Sequence, residues 1–203
     1  LCVVQEALPL VNGYYDAMEL VPEGERGVAV LESLADRLES RLPATVVRLD
    51  RELAARDPAH LDPVRRAATG ALRDISNDEP WCSGPARQGC LEEGLAAARR
   101  LRLAAPEKCD GHALVAELRI ATGDVDAGFS ELDETLDRVT ERSACARRLV
   151  SLAEKTRNAA RLDAALDRLL KLGCEAPPEC VTNLVFAADV ESRRGSHRRA
   201  LAL

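Results

Sequence analysis

The sequence predicts an all-α chain in which antiparallel helix-turn-helix hairpins stack into an α-solenoid. Three observations carry this. Ala and Leu together make up nearly a third of the 203 residues, and both are strong helix formers. Aromatics are only 2%, whereas sheet proteins lean on aromatic and β-branched residues. Apolar residues recur at steps of three and four along most of the chain, the mark of a helix with one buried stripe.

Charge and composition narrow the function classes. The chain carries 28 basic and 34 acidic residues, net −6, which disfavours a nucleic-acid binder held by phosphate contacts. So few aromatics leave no base-stacking or sugar-binding platform. Charges of both signs are interspersed, which separates the chain from disordered sequences. No stretch approaches ~18 uncharged apolar residues. Residues 1–11 are apolar but lack a basic lead-in and are broken by Gln5, Glu6 and Pro9, so they read as neither a signal peptide nor a membrane span. A chain opening on Leu1 and closing on Leu203 inside a helical pattern is expected to be a segment of a longer protein. Arginine outnumbers lysine 25 to 3, a bias that, with abundant alanine, suggests a GC-rich bacterial genome.

Taken in order, the first stripe is Val28, Leu31, Leu34, Ala35, Leu38 and Leu42, followed by Val46, Leu49 and Leu53 over 44–56. Asp62-Pro63 reads as an N-cap with proline at the first helical position. Val64, Ala67, Ala68, Ala71, Leu72 and Ile75 form the next stripe. Residues 76–89 have no period and carry two prolines and two glycines, which makes them a loop. Helical patterns resume over 90–104, 110–122, 126–139, 144–158, 161–173, 179–194 and from 197. This gives helical hairpins over 1–75, an irregular loop over 76–89, and repeats over 90–203 with the last one truncated.

Those repeats have a period. Gly89, Gly123, Ala160 and Gly195 align as turn positions 34 to 37 residues apart. Five residues after each comes a small residue: Gly94, Gly128, Ala165 and Ala200. Ala116, Ala153 and Ala188 lie seven before the last three. Small side chains let two helix backbones approach closely at a crossing. Pro106 and Pro177 follow two of the turns by seventeen residues and end a hairpin. Gly24 and Ala59 fall near the same spacing in the N-terminal part.

This phasing resembles the tetratricopeptide repeat, a helix-turn-helix unit of about 34 residues. The stretches 112–136, 152–172 and 184–203 carry the likeness, although the early large aromatic is replaced by His112, Leu149 or Leu184. The resemblance implies a right-handed superhelix whose first helices line a concave face, and a non-catalytic scaffold holding a protein or peptide. In that phasing the groove is lined by Leu114, Glu117, Val150, Glu154, Arg157, Asn158, Val185, Phe186, Asp189 and Arg193. Glu117, Glu154 and Asp189 then form an acidic stripe suited to a basic partner, screened by salt. Family members that clamp a peptide carboxylate use Lys and Asn where this chain has Ala113, Val150, Glu117 and Glu154, so no such clamp is expected. The rival readings are a sensor domain attached to an enzyme such as a kinase or protease, and a structural spacer.

The seven cysteines are Cys2, Cys82, Cys90, Cys109, Cys145, Cys174 and Cys180. Placement at loop edges reads as disulfide staples, hence an oxidising space such as the periplasm or the exterior. Cys82–Cys90 and Cys174–Cys180 would each close a short loop. Cys109–Cys145 is a strained option, because neighbouring first helices stack roughly 8–10 Å apart and a bridge needs Cα atoms within about 7 Å; the rival is Cys145–Cys174. Zinc is disfavoured by the lack of any C-x2-4-C pair and of a histidine cluster. The sequence holds no G-x-S-x-G, H-E-x-x-H, phosphate-loop or dinucleotide fingerprint and no C-x-x-C, so neither catalysis nor a cofactor is expected. Asp124 and Asp126 read as helix-start caps, His112 as a surface or capping residue, and Trp81 as a ring tucked under its loop.

Overall fold

The computed structural model describes residues 25–38, 49–50, 52–53, 56, 61–173 and 177–203. Among the described residues the regular structure is helical, with no strand. The chain divides into two compact units, residues 1–97 and 98–203. The expected divisions at 75 and 89 differ from this one, which falls inside a helix that the sequence pattern places later than it begins.

In the first unit, α1 (Glu25–Leu38) buries Leu31 and Ala35 against Leu49 and Leu53, as the stripe predicts. Gly24 and Ala59 lie outside the described residues. Helix α2 (Leu61–Ser76) buries Val64, Ala67, Ala68, Ala71 and Ile75. Asp62 lies within its first turn rather than before it, where a carboxylate still favours the helix dipole. Arg66 reaches Asp50 at 2.8 Å. The expected loop 76–89 is largely structured. Asp78 takes a left-handed φ of 53°, and the Glu79 N–H donates to the Asp74 carbonyl at 3.0 Å. Two 3-10 turns follow, Pro80–Cys82 and Gly84–Ala86, each with proline near its start. Helix α3 (Arg87–Ala104) begins three residues before the pattern suggests. Gly89 is therefore inside a helix and is not a turn.

Trp81 is 44% exposed rather than tucked away. Its indole N–H donates to the buried Asp74 carboxylate at 3.0 Å, which also takes the Arg73 guanidinium. Held by that bond, the ring needs no pocket beneath it. The Cys82–Cys90 bridge closes the segment, with Cα atoms 5.7 Å apart.

The second unit is an α-solenoid of antiparallel hairpins. They are α4 (Cys109–Ala121) with α5 (Val125–Thr135), α6 (Arg142–Lys155) with α7 (Ala159–Gly173), and α8 (Pro177–Arg193) with α9 (His197–Ala202). One apolar core runs through them, including Ala113, Ala116, Leu132, Leu136, Cys145, Leu149, Val150, Leu166, Leu169, Ala187 and Val190. Each hairpin turns the same way. Gly123, Arg157 and Gly195 adopt positive φ, and the N–H of the next residue donates to the carbonyl five positions back: Asp124 to Arg119, Asn158 to Ala153, Ser196 to Glu191.

These turns correct the repeat phasing. The middle turn residue is Arg157, not Ala160, so the spacings are 34 and 38 residues. Aligned on the turns, Ala116 matches Val150 and Ala188, and Gly128 matches Leu162 and Ala200. Ala153 and Ala165 are small and buried, but they lie about one helical turn away from the aligned positions, which is why they imitate the pattern. Gly128 does the work expected of its position: a Cβ there would come within 2.7 Å of the Ala116 carbonyl oxygen. Outside that series, a Cβ on Gly111 would come within 2.3 Å of the Arg102 backbone nitrogen.

Candidate functional site

Arginines stitch each hairpin back to the one before it. Arg148 of α6 reaches Glu117 of α4 at 3.0 Å. Arg161 of α7 pairs with Asp126 of α5, and Arg168 of α7 with Asp133 at 2.6 Å and Asp137 at 3.3 Å. Arg193 of α8 grips Glu154 of α6 through both carboxylate oxygens at 2.8 and 3.0 Å. Arg199 of α9 reaches Asp163 and Asp167 of α7, both at 3.2 Å. Most of these pairs are partly exposed, and pairs of this kind are worth about 0–1 kcal/mol each; their repetition fixes how the hairpins align more than it stabilises them.

This stitching dismantles the expected acidic stripe. Glu117 and Asp189 occupy equivalent positions, but Glu154 is three residues out of phase with them. Glu117 is held by Arg148, Glu154 by Arg193, and Asp189 by Arg193 in its own helix. Three carboxylates already neutralised by neighbouring guanidiniums make no open cation site. Leu114 and Val150 are buried rather than groove-lining, and the corrected phasing puts Val150 level with the buried Ala116. Arg157 is the exposed turn residue, and Asn158 caps α7, its Oδ1 accepting the Arg161 backbone N–H at 3.1 Å. Phe186 packs half-buried against the core, while Val185 is exposed. Asp124 precedes α5 but makes no side-chain cap, and Asp126 serves the ion pair with Arg161 instead.

His112 is not a surface residue. Its Nδ1 lies 3.0 Å from Glu131 Oε1 and 3.1 Å from Thr135 Oγ1, and its Nε2 lies 3.2 Å from the Pro106 carbonyl oxygen. Arg102 donates to the same Glu131 oxygen at 2.8 Å. Both ring nitrogens are engaged inside the protein, so the cluster fastens α4 and α5 to the end of α3. Burial pushes the Glu131 carboxyl up, but the hydrogen bonds from His112 and Arg102 and the charge beside it outweigh burial and hold it below the ordinary glutamate range. A carboxyl that binds its proton more weakly when folded stabilises the fold above its unfolded-state value, and that contribution is lost as pH falls through the folded one. Urea titrations should therefore show stability falling with acid below about pH 5, and Glu131→Gln should flatten that fall. An equally steep acid limb in the variant would mean that other carboxylates govern it.

Among the described residues no group of three or more His, Cys, Asp or Glu side chains is placed to hold a metal ion, and no helix is long and apolar enough to cross a membrane. The concavity that the second unit does offer lies between the second helices, where sequence phasing did not look. Phe129, Ser130 and Asp133 of α5 form one wall, Arg161, Ala164, Ala165, Asp167, Arg168 and Lys171 of α7 the other, and Leu149 of α6 the floor, around an open cavity of about 700 Å3. That is the size of a pocket for a small molecule or a few side chains. Phe129 stays in place because the Arg161 guanidinium lies over its ring, 4.5 Å from the centroid. Arg161, Arg168 and Lys171 recur at steps of seven and three along α7, with Asp167 on the same face. The signal was present as that Arg/Lys stripe, but it reads as a solvated face until α5 is known to lie opposite. The lining holds no histidine or cysteine.

The expected bridge Cys82–Cys90 is present, and Cys109–Cys145 is present too, with Cα atoms 5.4 Å apart. The 8–10 Å spacing that argued against the second applies to helix axes; here both cysteines are at the first turns, where α4 and α6 converge. This excludes Cys145–Cys174. Cys2 and Cys174 lie outside the described residues, and with them the expected Cys174–Cys180 pairing.

No family model matches the sequence, and no curated protein does. Two crystal structures of MamA align with this chain. One aligns with a TM-score of 0.50 over 86% of each chain at 7% identity. The other aligns at 0.48 over 83% of this chain and 88% of that one, at 8% identity. The likeness is one of fold.

Proposed function

We propose that this chain is a non-catalytic protein-interaction scaffold, a segment of tetratricopeptide-like hairpins from a larger exported bacterial protein, and that a protein partner seats in the groove between α5 and α7. The groove itself carries the reading. It combines an apolar floor with walls of mixed charge, whereas the polar clusters around Glu131, Asn183 and Asp74 are satisfied by their own neighbours. The partner's chemistry changes from the sequence expectation: the stripe meant for a basic ligand is closed by arginines, and the groove's own arginines are paired with Asp126, Asp133 and Asp137, so its rim carries both signs and suits an apolar side chain flanked by polar groups. Two disulfides support an oxidising compartment.

A photo-crosslinking residue at Ala164, which is exposed in the groove wall, tests this in cells of the native host. The expected outcome is one discrete adduct, lost on Phe129→Ala. A crosslinker at exposed Arg99 should give none. A structural spacer would give no adduct above background at either position.

A further inference from the structure

The two bridges of this chain meet solvent differently. Cys109 and Cys145 are 3% and 0% exposed, inside the core shared by α4 and α6. A reductant reaches that bond only when the hairpins part. In the other bridge Cys82 is just as buried, at 3%, but Cys90 is half-buried, and Gly84–Ala86, Gln88 and Gly89 around it are exposed. A Cβ built on Gly84 or Gly89 meets nothing within 4 Å. Both the closed loop and the turn of helix beside Cys90 therefore leave room for an approaching thiol.

The segment that carries Cys82 is tied down twice. One set of ties runs to α2. The Trp81 indole donates to the Asp74 carboxylate at 3.0 Å, and the Glu79 N–H donates to the Asp74 carbonyl at 3.0 Å. Arg87 donates to the Ile75 carbonyl at 3.3 Å and lies 3.6 Å from the Asp78 carboxylate. The other tie is the disulfide, which joins Cys82 to the first turn of α3. Opening the disulfide removes the second tie and leaves the first set in place. The reduced state also has a contact ready. The Trp81 carbonyl oxygen lies 3.5 Å from Cys90 Sγ, within reach of a thiol S–H, which is a weak donor. A disulfide sulfur has no proton to give it.

We propose that Cys82–Cys90 is a thiol–disulfide exchange site, reduced and re-formed by an external dithiol while the fold stays intact, whereas Cys109–Cys145 is a permanent staple. Exposed bridges are the labile ones. The dithiol's thiolate attacks Cys90 Sγ, the accessible sulfur. A mixed disulfide forms, the Cys82–Cys90 bond breaks, and Cys82 leaves as a thiolate that takes a proton from water. The dithiol's second thiolate then attacks its own sulfur in the mixed disulfide. Cys90 is released as a thiolate, is protonated by water and donates to the Trp81 carbonyl. Two electrons pass to the cysteine pair, two protons are taken up, and the dithiol ends as a disulfide. The site shares no residue with the groove between α5 and α7.

The test uses the 203-residue chain with both bridges formed, in native buffer with dithiothreitol. Alkylation over a time course and peptide mass spectrometry should show Cys82 and Cys90 modified at least about tenfold faster than Cys109 and Cys145. The chain reduced at Cys82–Cys90 alone should still melt cooperatively, at a lower temperature. Hydrogen exchange should rise around residues 82–90 and stay unchanged in α4 and α6. Return to oxidised dithiothreitol should restore the bridge. A C-x-x-C reductant with its second cysteine replaced by serine should be trapped as a mixed disulfide on Cys90 and not on Cys82. Equal rates for the two bridges, or loss of the cooperative melt on reducing this one, would make it a second staple and overturn the proposal. Failure to re-form, or an adduct mapped to Cys82, would overturn it too.

Discussion

Gly111→Ala should lower stability by about 3 kcal/mol, at the top of the usual range for overpacking, and lower the melting temperature by roughly 10 °C for a chain of this size. The reason is what the new methyl would strike. Its Cβ would lie 2.3 Å from the Arg102 backbone nitrogen, 2.6 Å from the Arg102 Cα and 2.9 Å from the Leu101 carbonyl carbon. None of these atoms can swing aside as a side-chain tip does, so α3 and α4 must separate. Separation would also loosen the Arg102–Glu131 bond at 2.8 Å, coupling the packing loss to the polar cluster behind it. Gly128→Ala should cost less, about 1–3 kcal/mol, because two of its three obstructions are carbons of the Ile120 side chain, although the Ala116 carbonyl oxygen at 2.7 Å is fixed. Gly89→Ala is the control. It lies in a helix with nothing within 4 Å of the built methyl, so it should stabilise by about 0.5–1 kcal/mol through the lost freedom of glycine. Chemical denaturation of the three variants gives the order. A neutral Gly111→Ala would mean that the α3–α4 crossing is wider than described.

These glycines also show what the sequence could and could not reveal. Helices and stripes were legible because a 3.6-residue period leaves its mark on every turn of a buried face, as in Val64, Ala67, Ala68, Ala71 and Ile75. The crossing at Gly128 was legible because a small residue five positions after a glycine turn has a steric reason. The middle hairpin misled because its turn residue is Arg157, a side chain rarely found at positive φ, while Ala160 three residues later imitates a permissive turn. That three-residue error carried Glu154 into line with Glu117 and Asp189, and the apparent stripe followed. The pairing of those carboxylates was not legible at all. A chain that is 31% charged offers many partners for each carboxylate, and only the packed geometry picks Arg148 for Glu117 or Arg193 for Glu154. The groove between α5 and α7 was hidden for the same reason, since its walls lie about 35 residues apart in sequence.

The second large effect concerns the bridge that helix spacing argued against. Cys109–Cys145 closes a loop of 36 residues and Cys82–Cys90 one of 8. If a disulfide acts mainly by restricting the unfolded chain, the first is worth about 4 kcal/mol and the second about 2.5 kcal/mol. The double variant Cys109→Ala/Cys145→Ala should then be the more damaging, with Cys82→Ala/Cys90→Ala intermediate, both read as a lower urea midpoint with a steeper dependence on denaturant as the unfolded chain expands. Native-state geometry points the same way. Cys109 and Cys145 are both buried in the core shared by α4 and α6, so losing the bond also removes the tie that holds two successive hairpins together at their first turns. Cys90 is only half-buried, and its neighbourhood is held independently by the Trp81–Asp74 bond. Hydrogen exchange separates the two contributions. Loss of chain restriction lowers protection throughout the second unit, whereas loss of the local tie raises exchange first at the starts of α4 and α6. Equal costs for the two double variants would show that loop length is not what the bridges contribute. The stability carried by Cys109–Cys145 would then reside in the convergence of α4 and α6 itself.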